Sequence, residues 1–277
     1  MAGEYRLSSK QVAAFAADGY LRFDRLVSDD LNQAVCALYA DNLPLGKTPL
    51  RGLLRRGKGG TPLSKMWADL PIGEVFRLPQ IQGIYESLVG PQPLYDHHAV
   101  HTVAGGHEQG QIWHADAIID LRLHFDIQFY YFAHDTPREM GGTAFLPGSH
   151  FRRINETDIA RYQNFLGQQT VVCEAGTVVV THHGLWHCAQ PNFMDKTRYM
   201  FKLRLNPTVR QCRLWDTSDL DDPEVIRNLS VNHRWYGNED RLEQVNRIKF
   251  WRFLTGDEKF DMGYWLSRLE NMPENVT

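Results

Sequence analysis

The order of apolar and polar positions changes character four times along the 277 residues. "SKQVAAFAADGY" carries apolar residues at helical spacing and runs into a glycine, so it predicts a helix capped by Ser9 and stopped at Gly19. "SDDLNQAVCALYADN", from Ser28, predicts a second helix, with Asp29 and Asp30 in the first turn where the helix dipole favours acids. The stretch that follows, "LRGLLRRGKGGTP" at residues 50–62, has no period. Its glycines at 52, 57, 59 and 60 predict a mobile loop, suited to close over a binding site. Arg51, Arg55, Arg56 and Lys58 within it would meet an anionic substrate, or simply solvent. "PQIQGIYESLVG" then restores helical spacing.

From about residue 94 the pattern shortens to β-rich runs broken by glycine and proline: "LYDHHAVHTVA", "HFDIQFYYFAHD", "TAFLPG", "TVVCE", "TVVVTHH" and "RYMFKLRLN". Turn signals such as "EMGG" and "CEAGT" between them suggest an antiparallel sandwich or jelly roll. In "RYMFKLRLN", Tyr199, Phe201, Leu203 and Leu205 share the apolar side, so Arg198, Met200, Lys202 and Arg204 must face the other way. Helical texture returns after Pro207, most clearly in "EDRLEQVNRIKFWRFL". The expected architecture is mainly β with flanking helices. One domain holds a helical part at 1–92, a β core at about 93–207 and a helical part at 208–277, the helices covering the outer face of the sheet.

Composition bounds the function. A chain 43 % hydrophobic and 12 % aromatic can bury a large core. A net charge of −3 offers no global field for nucleic acid or an anionic membrane. No run of eighteen apolar residues is present, and "MAGEYRLSSK" lacks the apolar centre of a signal peptide. Cys36, Cys173, Cys188 and Cys212 show no paired or zinc-binding spacing and read as free thiols of a reducing compartment. A cytoplasmic protein with a small-molecule partner, monomeric or homodimeric, is the expectation.

Chemistry concentrates where the histidines do, between residues 97 and 187. In "QIWHADAIID", His114 and Asp116 are two apart in a run that reads as the end of a strand, so both side chains face one way. Such a pair can bind a metal from one rigid ledge, or merely satisfy each other. A metal needs a third ligand, and "TVVVTHHGLWHCAQPN" offers His182, His183 and His187. His187 lies 71 residues after Asp116 at the end of another β run, where a jelly roll could bring the two together. Two histidines and a carboxylate on one face of an octahedron are the donor set of non-haem Fe(II) oxygenases, with three positions left open. Arg198, eleven residues further on, would need an anionic partner if buried, and its fork suits a carboxylate such as the distal one of 2-oxoglutarate.

Four motifs in order, "HAD", "GGTAFLPGSH", "EAGTVVVTHHGLWHCAQPN" and "TRYMFKLRL", resemble the phytanoyl-CoA dioxygenase family of Fe(II)/2-oxoglutarate oxygenases over roughly residues 9–207. The resemblance implies a double-stranded β-helix (a cupin-like jelly roll). It implies His114, Asp116 and His187 as iron ligands and Arg198 as the 2-oxoglutarate anchor. The implied reaction consumes O2 and 2-oxoglutarate, releases succinate and CO2, and hydroxylates a substrate carbon. His101, on the strand before the HxD pair, Thr143, after the double glycine, and Gln128, at the parity of a cavity lining, are further candidates for contacting cosubstrate. Ala189 stands where the family often has a small hydroxyl residue two places after the distal histidine. Related halogenases replace the aspartate with a small residue, so Asp116 argues against halogenation. The competing readings are a cupin-like isomerase or hydrolase with another divalent metal, and a binding jelly roll with a vestigial site. Cys188, a strand neighbour of His187, should point into the core.

Overall fold

The computed structural model describes residues 2–40, 59–96, 100–116, 123–152, 159, 162, 164–233 and 235–263. The basic part of the expected lid, 50–58, lies outside these residues; Gly59 and Gly60 form a turn into a two-residue strand.

Six α-helices are described: α1 (Ser9–Asp18), α2 (Asp29–Ala40), α3 (Pro71–Arg77), α4 (Pro79–Val89), α5 (Pro223–Leu229) and α6 (Asn238–Thr255). The cap of α1 is Ser8 rather than Ser9, because Gln11 reaches back three residues to complete a capping box with it. Ser9 is instead buried, where its hydroxyl accepts from Trp215 Nε1 at 3.0 Å. Gly19 ends the helix in the left-handed region, φ 79°. The seven-residue α3 was not expected. It opens on a proline, which suits a first turn, but it is too short to show a helical period.

Ten strands follow in chain order: β1 (Tyr20–Phe23), β2 (Thr61–Pro62), β3 (Leu94–Tyr95), β4 (Val100–Val103), β5 (Ile127–Phe132), β6 (Thr143–Phe145), β7 (Gln169–Thr170), β8 (Thr177–His182), β9 (His187–Ala189) and β10 (Arg198–Asn206). The major sheet runs β1-β8-β5-β10-β3-β2, with β4 also paired to β10, and every pairing is antiparallel. The minor sheet runs β7-β6-β9. The segment 107–114 continues it beside β9 through bridges His107–Asn192 and His114–His187. The run "LYDHHAVHTVA", read as one strand, is two short ones. The strands expected at "TVVCE" and "TAFLPG" are only two and three residues long.

Parity along the long strands decides the layers. Phe129, Tyr131, Val178, Val180, Phe201, Leu203 and Leu205 share one core cluster with Phe15 of α1, Phe76 of α3, Ile84 of α4 and Phe250 of α6. Burying each such side chain contributes about 1.5–3 kcal/mol, so this row commits the major sheet's outer face to the helices. The inner row, Tyr130, Phe132, Val179 and Met200, meets Phe145, Val171, Cys173 and Leu185 from the minor-sheet side. The polar residues of β10 are thereby aimed between the two sheets.

Candidate active site

His187 opens β9 and is flanked on one side by Phe145 of β6 and on the other by His114. Two backbone hydrogen bonds join the histidines, His114 N–H to His187 O at 3.1 Å and His187 N–H to His114 O at 2.9 Å. Their rings therefore lie 4.4 Å apart between centroids. Asp116 follows two residues on, with Oδ1 4.0 Å from His114 Nε2 and Oδ2 3.6 Å from His187 Nε2. One donor atom from each of the three lies within 4.8 Å of the others.

The ring orientations are fixed from behind. His114 Nδ1 sits 2.9 Å from Ile112 O, and His187 Nδ1 sits 3.0 Å from Leu185 O. A carbonyl can only accept, so each Nδ1 carries the proton and each Nε2 turns a lone pair toward the shared point. Asp116 Oδ2 accepts from the Gln128 amide, whose own oxygen accepts from the Tyr130 hydroxyl. Lys202 Nζ donates to the same oxygen at 2.9 Å and lies 3.1 Å from His187 Nε2. Burial acts to raise the Asp116 pKa, but the Lys202 ammonium and the two histidines outweigh it and hold the carboxyl well below its ordinary range. Burial pushes His187 well below the ordinary imidazole value, and the neighbouring Lys202 adds to the shift. Burial also lowers Lys202, against the pull of Asp116.

His114, Asp116, Tyr130, His187 and Lys202 line an open cavity of about 540 Å³. Arg198, only 4 % exposed, lines the same cavity. Among the described residues its guanidinium makes one hydrogen bond, from Nη1 to Met140 O at 3.4 Å, and pairs with no carboxylate. Burial alone pushes its pKa down to about 10.

The structure brings His101 to the same wall, on β4 opposite Met200, and Thr143 too, its hydroxyl 3.8 Å from Met200 Sδ. Gln128 differs from expectation. It does not line the cavity but stands behind Asp116 and supports its carboxylate, because the Tyr130 hydroxyl and Asp116 consume its amide. His182 and His183 are not part of the centre. His182 packs among Phe15, Phe125 and Phe250, and His183 Nδ1 sits 3.1 Å from Asp126 O. Cys188 faces a separate cluster with Trp113, Ala144 and Leu146, and burial pushes its thiol up to about 12. Lys202 is the residue that sequence reasoning missed. The available signal was a charged residue four places after Arg198 at the same strand parity. Arg204, next in that row, pairs with Asp126 at 2.6 Å and Asp96 at 3.4 Å.

Residues 15–200 match the Phytanoyl-CoA dioxygenase (PhyH) family. The chain belongs to that family. Membership makes it a 2-oxoglutarate-dependent non-haem iron dioxygenase, with Fe(II), 2-oxoglutarate and O2 as cofactors, and the His114–Asp116–His187 cluster is a donor set of the right kind for iron. No curated protein sequence matches the chain. Among solved structures, the non-haem α-ketoglutarate-dependent carbocyclase SnoK from nogalamycin biosynthesis is similar at 21 % identity and TM-score 0.51, over 72 % of this chain and 84 % of that one. AviO1 from Streptomyces viridochromogenes Tue57 is similar at 17 % identity and TM-score 0.54, over 73 % and 95 %. EctD from S. alaskensis in its apoform is similar at 17 % identity and TM-score 0.54, over 73 % and 77 %. At these identities the likeness establishes the fold of the phytanoyl-CoA dioxygenase family, a jelly-roll core whose sheets do not close into a barrel here.

Proposed function

We propose that this dioxygenase hydroxylates an unactivated carbon of a small-molecule metabolite, with His114, Asp116 and His187 holding Fe(II) and Arg198 holding the distal carboxylate of 2-oxoglutarate. The observation that carries this reading is the buried Arg198, a cation without an acid partner among the described residues, on the wall shared with the His–Asp–His cluster. A dehydrated guanidinium needs an anion, and its fork takes a carboxylate in two hydrogen bonds. A cupin-like isomerase or hydrolase would have no use for such an anchor there.

Bound iron supplies activation of O2 and oxidative decarboxylation of the cosubstrate to succinate and CO2. The chain supplies the geometry. Backbone carbonyls orient both imidazoles, and the Gln128–Tyr130 relay orients the carboxylate. The rings of Tyr130 and Phe145 stand 6.4 Å from that of His187 and exclude water on that side. His101 and Thr143 complete the wall along which 2-oxoglutarate would lie between metal and Arg198. Hydroxylation is the outcome that asks for no residue beyond the centre itself. SnoK is a carbocyclase and SnoN, at 18 % identity and TM-score 0.52, an epimerase, so comparable folds host other outcomes in those proteins. No described helix is long and apolar enough to cross a membrane.

Anaerobic titration with Fe(II) and 2-oxoglutarate tests the reading. A metal-to-ligand charge-transfer band should appear in the wild type and be lost in Asp116→Ala and His187→Ala. A wild type that binds iron but gives no band would assign the cavity to another cosubstrate. Succinate release with candidate metabolites then identifies the substrate.

A further inference from the structure

Lys202 is 4 % exposed and reaches the centre from the inner face of β10, opposite Tyr130 in the strand pairing. Its Nζ lies 3.1 Å from His187 Nε2 and 2.9 Å from Asp116 Oδ2, contacts to two of the three groups that the cluster would offer a metal. Because His187 Nδ1 is committed to Leu185 O, Nε2 carries the only in-plane lone pair of the ring. A hydrogen bond from Lys202 and a bond to a metal both need that lone pair. They exclude each other.

We propose that Lys202 competes with a metal for His187 Nε2, a positioning residue that supports Asp116 and sets how tightly the three ligands take a metal. The proposal rests on the metal-centre reading of His114, Asp116 and His187. Release does not carry the charge away. The strand holds the Lys202 backbone between Tyr130 and the cavity, and Asp116, with about four acceptor sites on its two oxygens, can keep its bond to the ammonium. The +1 charge therefore remains beside an incoming +2 charge and opposes it. Lys202 thus weakens metal affinity while it supports the Asp116 carboxylate, two effects that a neutral side chain of similar length would separate.

The test is equilibrium Co(II) binding to the metal-free protein, in competition with a chromophoric chelator. Wild type, His114→Ala, Lys202→Met and Lys202→Gln are compared. Lys202→Met keeps the length and removes the charge; Lys202→Gln is the second variant should Met disturb the fold. Both should bind Co(II) about tenfold or more tightly than wild type, the effect of freeing a charge-assisted hydrogen bond. Both should also gain more thermal stability than wild type on saturation with Co(II), because their empty sites leave Asp116 buried without its cation. A lysine that merely props Asp116 predicts the opposite, weaker binding in both variants. Weaker or unchanged affinity would overturn the proposal while leaving the centre in place. Wild type that binds no Co(II), or binds it equally well as His114→Ala, would remove the metal centre itself and the proposal with it.

Discussion

Arg198 shows what the fold does to a single residue. Its guanidinium is dehydrated, its pKa is pushed down to about 10, and its only partner among the described residues is one carbonyl. Folding gains little from such an arrangement, and a bound carboxylate would compensate it. Arg198→Ala should raise the 2-oxoglutarate dissociation constant by roughly 30- to 4,000-fold, the equivalent of about 2–5 kcal/mol. Arg198→Lys should recover part of that, because a point charge cannot reproduce the fork. The charge-transfer titration measures both. Arg198→Met, without cosubstrate, should melt no lower than wild type, since it removes an unpaired buried charge and keeps the bulk. A clear loss of stability in that variant would give Arg198 a structural task instead.

At the scale of elements, the site depends on how closely the minor sheet packs. His187 enters through β9, and β9 is held by β6, which begins directly after Gly141 and Gly142. A Cβ on Gly142 would stand 1.8 Å from Val171 O, a backbone atom that no rotamer change can move away. The Gly142 carbonyl meanwhile accepts from Gln190 N–H at 3.2 Å, and Thr143 O from Val171 N–H at 2.9 Å, so the strands on both sides are tied to this point. Gly142→Ala should therefore destabilise the protein by more than about 3 kcal/mol, the range of severe backbone and packing defects. Gly60→Ala is the control. That glycine has a positive φ of 84° but nothing within 4 Å, so only the left-handed backbone penalty of about 1–2 kcal/mol applies. Urea unfolding midpoints compare the two. Equal losses would mean that the minor sheet can spread without consequence.

Across the whole molecule, the helical layer and the sheet meet over buried titratable groups that tie stability to pH. Burial pushes His183 down to about 4, against the pull of Asp126, and drives His150 well below the ordinary imidazole value. Between about pH 6.5 and 4 the unfolded chain binds protons at these positions and the folded chain does not. Their effect is thus absent above pH 6.5, and stability is lost as pH falls toward 4. Glu243, which burial pushes up to about 7 against Arg247, works in the opposite sense. Its contribution is full below about pH 4.5 and is lost as pH rises through 7. Comparison of variants isolates one term. His183→Asn, which can keep a polar contact to the Asp126 backbone, should show a smaller drop in unfolding free energy from pH 7 to pH 5 than wild type. The full titration of His183 is worth roughly 3 kcal/mol as an upper figure. Parallel losses in both proteins would show that His183 is protonated without penalty in the fold.

Much of this was legible in the one-dimensional pattern, and the physical reason is local. The α1, α2, α4 and α6 helices and the β5, β8 and β10 strands announce themselves because each is long enough to show its period, and caps and glycines mark several of their ends. The donor types at His114, Asp116 and His187 and the fork at Arg198 are properties of residues, readable wherever they stand. Short pieces were not legible: β1, β9 and α3 have three to seven residues and no period to show, and they exist because neighbours pair with them or pack on them. The cap of α1 moved by one residue because Gln11 chose between two serines. Gln128 and Lys202 were visible as polar residues on an inward row, but their partner is Asp116, twelve and 86 positions away. Strand parity aims a side chain; only the packing of one sheet over the other decides what it meets. The sequence by itself therefore determined which atoms could bind a metal and an anion, while the tertiary structure decided that Lys202 would meet His187 Nε2 and Asp116 Oδ2, because those contacts join residues 15 and 86 positions apart.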